Sequence, residues 1–241
     1  MNTYQKAGKQ TNKKSHEKWR NIHMIFEAVL FDLDGTLIDT LDDIGDAVNR
    51  VLSNKNFPTH PYSAIRDFVG DGSRILIERA LPEKYRNDKI IDACYKEYIE
   101  DYSQNYNVKS DLYDGISHLL DTLTANGLRL AVLSNKPDAI TQNCVNTFLS
   151  TWDFDVVFGQ RDSVPRKPNP QGALETAKKM SIPPPHFLYL GDTAIDMKTA
   201  VSAGMFPVGV LWGFRPLKEL MENGACAVID EPMALLDIIN T

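Results

Sequence analysis

Cysteine is sparse and poorly placed for metal or disulfide chemistry. Cys94, Cys144 and Cys226 are the three cysteines in 241 residues. No two have metal-ligand spacing, and an odd, scattered count builds no disulfide framework. Reduced thiols in a cytoplasmic protein are therefore expected. No apolar run reaches the roughly 18 residues that a membrane span requires, so no membrane partner is expected. Basic charge is not in excess: 26 Lys and Arg face 32 Asp and Glu, for a net charge of −6. Nothing in the overall balance points to nucleic acid or to an anionic membrane. The five histidines, His16, His23, His60, His118 and His186, show no partner spacing. Repeats and low-complexity segments are missing too. What is present is an apolar fraction of 43%, ample for one globular domain, with or without an insert.

The charge is unevenly distributed. Residues 1–23 hold six Lys or Arg against Glu17 alone, which makes this stretch +5 and the remainder −11. It has little apolar content and no periodicity, so it reads as a disordered basic tail, and it lacks the apolar core of a secretory signal. A solvated or non-native extension is expected in preference to an arm gripping nucleic acid. Met24, just ahead of the first apolar run, is a candidate ancestral start.

Five short apolar runs read as buried strands: 26–31, 128–133, 154–158, 187–190 and 207–211. From Asp111 onward they alternate with helical patterns. Residues 114–126 place Ile116, Leu119, Leu120 and Leu123 on one face and stop before Gly127. Asn169 can cap a helix with Pro170 in its first position, turning Ala173, Leu174, Ala177 and Met180 inward. Residues 193–203 end at Gly204. Strands alternating with helices imply a Rossmann-like parallel sheet, an α/β fold with helices on both faces. Residues 41–108 break the alternation. Thr40 with Asp43 resembles a capping box. Leu41, Ile44, Val48, Val51 and Leu52 form one helical stripe, and Ile90, Ile91, Cys94, Tyr95, Tyr98, Ile99 and Tyr102 form a clearer one. An all-helical cap inserted after strand 1 is expected at 41–108, over the carboxyl edge of a core made of 24–40 and 109–241.

Ligands of open parallel sheets bind at that edge. Asp32 and Asp34 follow the first strand, Ser134-Asn135-Lys136 the second, Arg166-Lys167-Pro168 the third, and Asp192 and Asp196 the fourth. Acids crowded together raise one another's pKa. A hard divalent cation such as Mg2+, which takes oxygen ligands, relieves that conflict. A lysine, a serine and backbone amides near Gly35 remain to hold a phosphate.

FDLDGTL, LSNK, RKPNP and GDTAID, in this order at strand ends, resemble the four motifs of the haloacid dehalogenase superfamily. Within it the chain is similar to the phosphoglycolate phosphatase-like branch with a helical cap. The segments VGDGSRILIERAL, VGVLWGFRPLKEL and ENGACAVIDEP share in that resemblance, which runs from about Met24 to the end. It implies that Asp32 is a nucleophile forming an aspartyl-phosphate. It implies that Asp34 protonates the leaving alkoxide and then activates water, while its backbone carbonyl ligates the metal. Asp32, Asp34, Asp192 and Asp196 would be the metal ligands, and Ser134 and Lys167 would hold the phosphoryl oxygens. Thr36, Asn135 and Arg74 are the substrate-binding candidates, Arg74 for a substrate carboxylate, with Arg66 a second choice.

The resemblance implies magnesium-dependent hydrolysis of a small phosphorylated metabolite, phosphoglycolate first. A phosphosugar mutase shares these motifs. A receiver-type signalling module also uses acids, magnesium, a hydroxyl and a lysine, although Asp34 and the long insert argue against it. Taken singly, Asp-Gly is a common turn pair, Lys167 a surface lysine and Asp196 a helix-start acid. Trp152, Trp212 and the tyrosine stripe read as packing. Oligomeric state and exact substrate are left open.

Overall fold

The computed structural model describes residues 10–11 and 25–240. The expectation of a disordered tail at 1–23 lies outside these residues, except for Gln10–Thr11 (β1). The other strands are Ala28–Phe31 (β2), Ile38–Asp39 (β3), Asp111–Leu112 (β4), Arg129–Pro137 (β5), Phe154–Gln160 (β6), Phe187–Gly191 (β7), Phe206–Val210 (β8) and Ala227–Ile229 (β9). The main sheet has the order β1-β9-β8-β7-β2-β5-β6. Its strands run parallel except β1, which pairs antiparallel with β9.

The five apolar runs are the five longest strands. β2 is central, and all four of its residues are fully buried. Val29 and Phe31 enter one core cluster while Ala28 and Leu30 enter another. Successive residues of a strand point to opposite faces, so both faces of the sheet are covered, which is why the run is apolar without alternation. β9 is new to the structure; three residues are too few to show a period.

The helices after β4 are Ile116–Ala125 (α5), Asp138–Phe148 (α6), Gln171–Met180 (α7), Ala194–Ala203 (α8), Leu217–Glu222 (α9) and Leu235–Ile239 (α10). α7 starts one residue later than expected: Pro170 is its N-cap, and Asn169 Oδ1 accepts from Gln171 N at 3.0 Å. Ala173, Ala177 and Met180 are buried, but Leu174 is 42% exposed. The buried stripe includes Thr176, and Leu174 lies about 100° around the helix from Ala173, off that stripe.

Between β3 and β4 lie Leu41–Asn54 (α1), Tyr62–Phe68 (α2), Ser73–Ala80 (α3) and Asp88–Asn105 (α4) with one 3₁₀ turn, and no strand among residues 41–105. α1 packs on α2 and α4, and α3 on α2 and α4. The expected stripe of α1 is buried throughout. In α4, Ile91, Cys94, Tyr98 and Tyr102 are buried, with Tyr98 and Tyr102 stacked at 5.4 Å between ring centroids. β3 and β4 pair antiparallel where the chain leaves and re-enters the sheet unit. The insert sits over the carboxyl edge. Arg215, after β8, donates to the carbonyls of Arg66 at 2.7 Å, Asp67 at 3.3 Å and Val69 at 2.7 Å, at the electronegative end of α2. None of the helices is long and apolar enough to cross a membrane among the described residues. Cys94, Cys144 and Cys226 are buried and form no disulfide.

The capping box expected at Thr40 and Asp43 does not form: Thr40 is the N-cap of α1 but makes no side-chain capping bond. Its hydroxyl donates to Asp34 Oδ1 at 2.7 Å. The buried Asp43 carboxylate instead accepts from the backbone amides of Val108, Lys109 and Ser110 at 2.9–3.0 Å and from Ser110 Oγ at 2.7 Å. Three consecutive amides and a hydroxyl outcompete the single N–H that a capping box offers. They pin the returning chain to the start of the insert. Asp43→Ala should therefore cost about 2–4 kcal/mol, since hydrogen bonds to a charged acceptor are each worth roughly 1.5–3 kcal/mol and water restores some of them. Asp43→Asn, which keeps one acceptor oxygen, should lose less; urea unfolding midpoints of the two variants measure this.

Candidate active site

β2 ends by handing Asp32 to the edge, with Asp32 N donating to Leu190 O at 2.9 Å. The turn that follows needs glycine. Gly35 has φ 82°, and a Cβ there would lie 2.5 Å from Asp192 Oδ2, so only a bare backbone can approach that carboxylate. Asp192 follows β7 and is fully buried. Its Oδ1 accepts from Thr36 Oγ1 at 3.2 Å and its Oδ2 from Phe214 N at 2.8 Å. Asp196, in the first turn of α8, is also fully buried. Its Oδ2 accepts from Thr193 N at 3.1 Å and Thr193 Oγ1 at 2.6 Å, completing a capping box. Its Oδ1 accepts from Lys167 at 2.7 Å.

Lys167 is the centre of this group. Its Nζ lies 2.8 Å from Asp32 Oδ1 and 2.7 Å from Asp196 Oδ1, and donates to Leu133 O at 3.0 Å. Asn135 fixes the lysine's backbone: Oδ1 accepts from Lys167 N at 2.8 Å, while Nδ2 donates to Lys167 O and to Gly70 O, both at 3.1 Å. Asn135 thus joins β5, the lysine loop and the helical insert. Ser134 is buried, and its hydroxyl oxygen accepts from Lys136 N at 3.2 Å.

Asp32, Asp192 and Asp196 each present an oxygen within 4.8 Å of the others. Burial, and then the charge of Asp196, push Asp32 up to about 7 despite Lys167. Burial and the charges of Asp196 and Asp32 likewise hold Asp192 well above the usual carboxylate range. Burial pulls the Lys167 ammonium down, but Asp196 and Asp32 outweigh it and hold it well above its ordinary value. The residues fit a hard cation. Every donor in the triad is a carboxylate oxygen, and Asp32 Oδ1 is buried with no hydrogen-bond partner among the described residues, although Lys167 is close.

Above the triad opens a cleft of about 480 Å3, solvent at its mouth included. Its floor includes Asp32, Asp34, Ser134 and Lys136; Ile44, Gly72, Ser73, Leu76 and Tyr98 of the insert close it. Asp32, Asp34, Ser134 and Asn135 therefore meet at one cleft, with Lys167, Asp192 and Asp196 packed behind. Two sequence candidates stand elsewhere. Thr36 is fully buried and turned to Asp192. Arg74 Nε and Nη2 donate to Asp92 and Asp88, both at 2.8 Å, because α4 presents two acids beside it. Arg66 is exposed.

Other participants were not assigned from sequence. Lys136 Nζ donates to Asp34 Oδ1 and, at 3.0 Å, to Tyr102 Oη. Strand alternation carries the signal: β5 runs on to Pro137, which puts Ser134 and Lys136 on one side. Trp212 does more than fill space, since its indole donates to Thr36 O at 2.9 Å.

Residues 29–210 match the family model described as haloacid dehalogenase-like hydrolase. A phosphoglycolate phosphatase of Psychrobacter arcticus is 30% identical over 88% of this chain and 95% of its own. One from Colwellia psychrerythraea is 31% identical over 82% of this chain and 90% of its own. The solved structure of a predicted phosphoglycolate phosphatase from Haemophilus somnus superposes with a TM-score of 0.83 at 26% identity, covering 90% of this chain and 99% of the other. With a family match across most of its length and relatives aligned nearly end to end, the chain belongs to the haloacid dehalogenase-like hydrolases, in their phosphoglycolate phosphatase-like branch.

Proposed function

We propose that the protein is a magnesium-dependent phosphatase that hydrolyses a small phosphate monoester through an aspartyl-phosphate, with phosphoglycolate as the first candidate substrate. One observation carries the reading: three buried carboxylates, Asp32, Asp192 and Asp196, converge within 4.8 Å. The names of the relatives from Psychrobacter arcticus and Colwellia psychrerythraea support the substrate. The same proposal treats 24–40 and 109–241 as the catalytic core and 41–108 as its cap, and places the chain in the cytoplasm.

Asp32, Asp192 and Asp196 would hold the magnesium ion with the backbone carbonyl of Asp34. Bound there, the ion would neutralise the acids and the phosphoryl oxygens. Asp32 forms a bond from a carboxylate oxygen to phosphorus as the ester oxygen departs. Asp34, at the cleft two residues on, gives that oxygen its proton and then takes one from the water that cleaves the aspartyl-phosphate. Ser134 donates to a phosphoryl oxygen. Lys167 offsets negative charge on both Asp32 and the transferred group. The insert excludes water until the phosphoenzyme forms. This division of labour suits a reaction that needs alignment and charge neutralisation above all.

Asp32→Asn should lower phosphate release by at least about 10³-fold, as expected when a group that acts only in the transition state is lost, with the circular dichroism of the fold unchanged. Release near the wild-type rate removes Asp32 as nucleophile. Isomerised sugar phosphate in place of free phosphate would point to the mutase.

Asp34→Asn should slow esters of poor leaving groups, such as alkyl phosphates, much more than p-nitrophenyl phosphate, which needs no proton on departure. Equal loss on both esters contradicts the acid role.

The pH dependence follows from Asp32. Its folded pKa of about 7 lies above the ordinary 3.8, so the metal-free folded chain keeps a proton that the unfolded chain releases. That stabilisation is whole below the ordinary value and lost as pH rises through 7. The Tm of metal-free protein should fall from about pH 5 to about pH 8, and added magnesium should raise Tm more at the higher pH. A magnesium effect independent of pH, read by scanning calorimetry, contradicts binding at this triad.

A further inference from the structure

The cleft holds a cation that the proposed chemistry does not use. Lys136 is 5% exposed, follows Ser134 by two residues and lines the cleft beside Asp34. An ammonium has three donors. In Lys167 all three face acceptors: Asp32, Asp196 and Leu133 O. In Lys136, Asp34 Oδ1 and Tyr102 Oη take two, and no third acceptor stands there among the described residues. The Tyr102 ring lies 4.9 Å from the Lys136 nitrogen, which fixes the ammonium from the side of the insert. Of the other cations near the cleft, Arg74 is committed to Asp88 and Asp92, and Arg79 to Asp71 at 2.6 Å; Arg166 lies beside Gly72 but is exposed, whereas Lys136 is buried at the floor beside Asp34.

We infer that the Lys136 ammonium is the specificity determinant of the cleft, and that it reads a carboxylate carried on the carbon next to the ester oxygen of the substrate. This rests on the phosphatase reading and narrows it to 2-phosphocarboxylates. Distance supplies the argument. Asp34 serves the ester oxygen and also contacts Lys136, so the ammonium and that oxygen are separated by one carboxyl group and two hydrogen bonds of about 3 Å each. A carboxylate on the adjacent carbon fills that interval and meets the third donor of the ammonium. A second anion on a longer chain overshoots it, into the apolar wall of Ile44, Leu76 and Tyr98. A charge-assisted bond made in a buried site discriminates strongly against a neutral isostere, because the ammonium is then left short of a partner.

The test compares 2-phosphoglycolate with its neutral carboxamide, both with magnesium, as a ratio of kcat/KM. Wild-type protein should favour the carboxylate by about 10²-fold, and Lys136→Gln should bring the ratio close to one. A residue that merely steadies Asp34 would lower both rates together and leave the ratio where it was, which overturns the inference. So does a wild-type ratio near one. If the glutamine variant does not fold, a structure of the wild-type protein with magnesium and 3-phosphonopropionate decides. The carboxylate within about 3.2 Å of Lys136 Nζ supports the assignment, and an analogue bound with its carboxylate elsewhere, or not bound, refutes it. Failure of the phosphatase reading looks different: neither ester would release phosphate, whatever residue 136 is.

Discussion

The architecture depends on a single buried ammonium shared by two carboxylates. Lys167 stands between Asp32 and Asp196, less than 3 Å from each, with Asp192 beside them. Four charges in a dry region are costly unless each has partners, and the surrounding structure supplies them. Thr193 and the start of α8 satisfy one oxygen of Asp196, and Thr36 and Phe214 N satisfy Asp192. Asn135 clamps the lysine's backbone on both sides. Asp32 Oδ1 has no neutral donor and faces only the Lys167 ammonium, at 2.8 Å. Asp32 is thus the least supported acid of the group, held by the Lys167 ammonium alone. The raised pKa values of Asp32 and Asp192 follow from the same arrangement: positive charge is in short supply at the site, and a divalent cation would make it up.

Much of this was legible in the sequence, for a physical reason. A central parallel strand buried on both faces is written as an uninterrupted apolar run, so β2, β5, β6, β7 and β8 stood out. Their carboxyl ends then had to share an edge, which brought Asp32, Ser134, Lys167 and Asp192 together without any structure. The helical stripes of α1 and α4 were readable because each is long enough to repeat its period. β3, β4 and β9 were not, since two or three residues carry no period. Leu174 was misplaced because an apolar residue next to a stripe looks like part of it.

Side-chain partners were harder to read than elements. Thr40 and Asp43 have the spacing of a capping box, yet each bonds a group far away in space, and no local rule ranks tertiary acceptors against local ones. Arg74 was a candidate for the substrate until α4 brought Asp88 and Asp92 beside it. Lys136 was visible in the LSNK segment, but its importance depends on Tyr102, 34 residues back in the chain, which only folding of the insert places above it.

Arg215 holds the end of α2 through three main-chain oxygens and no side chain. Asn135 grips Gly70 in the same manner. These contacts read the backbone of 66–70, while Val69 is buried in the core and Gly70 holds a φ of 126° that favours glycine. Exchange is open at Arg66 and Asp67, which are exposed and gripped only through their carbonyls, so this seam tolerates a change of surface charge without losing the bonds that hold it.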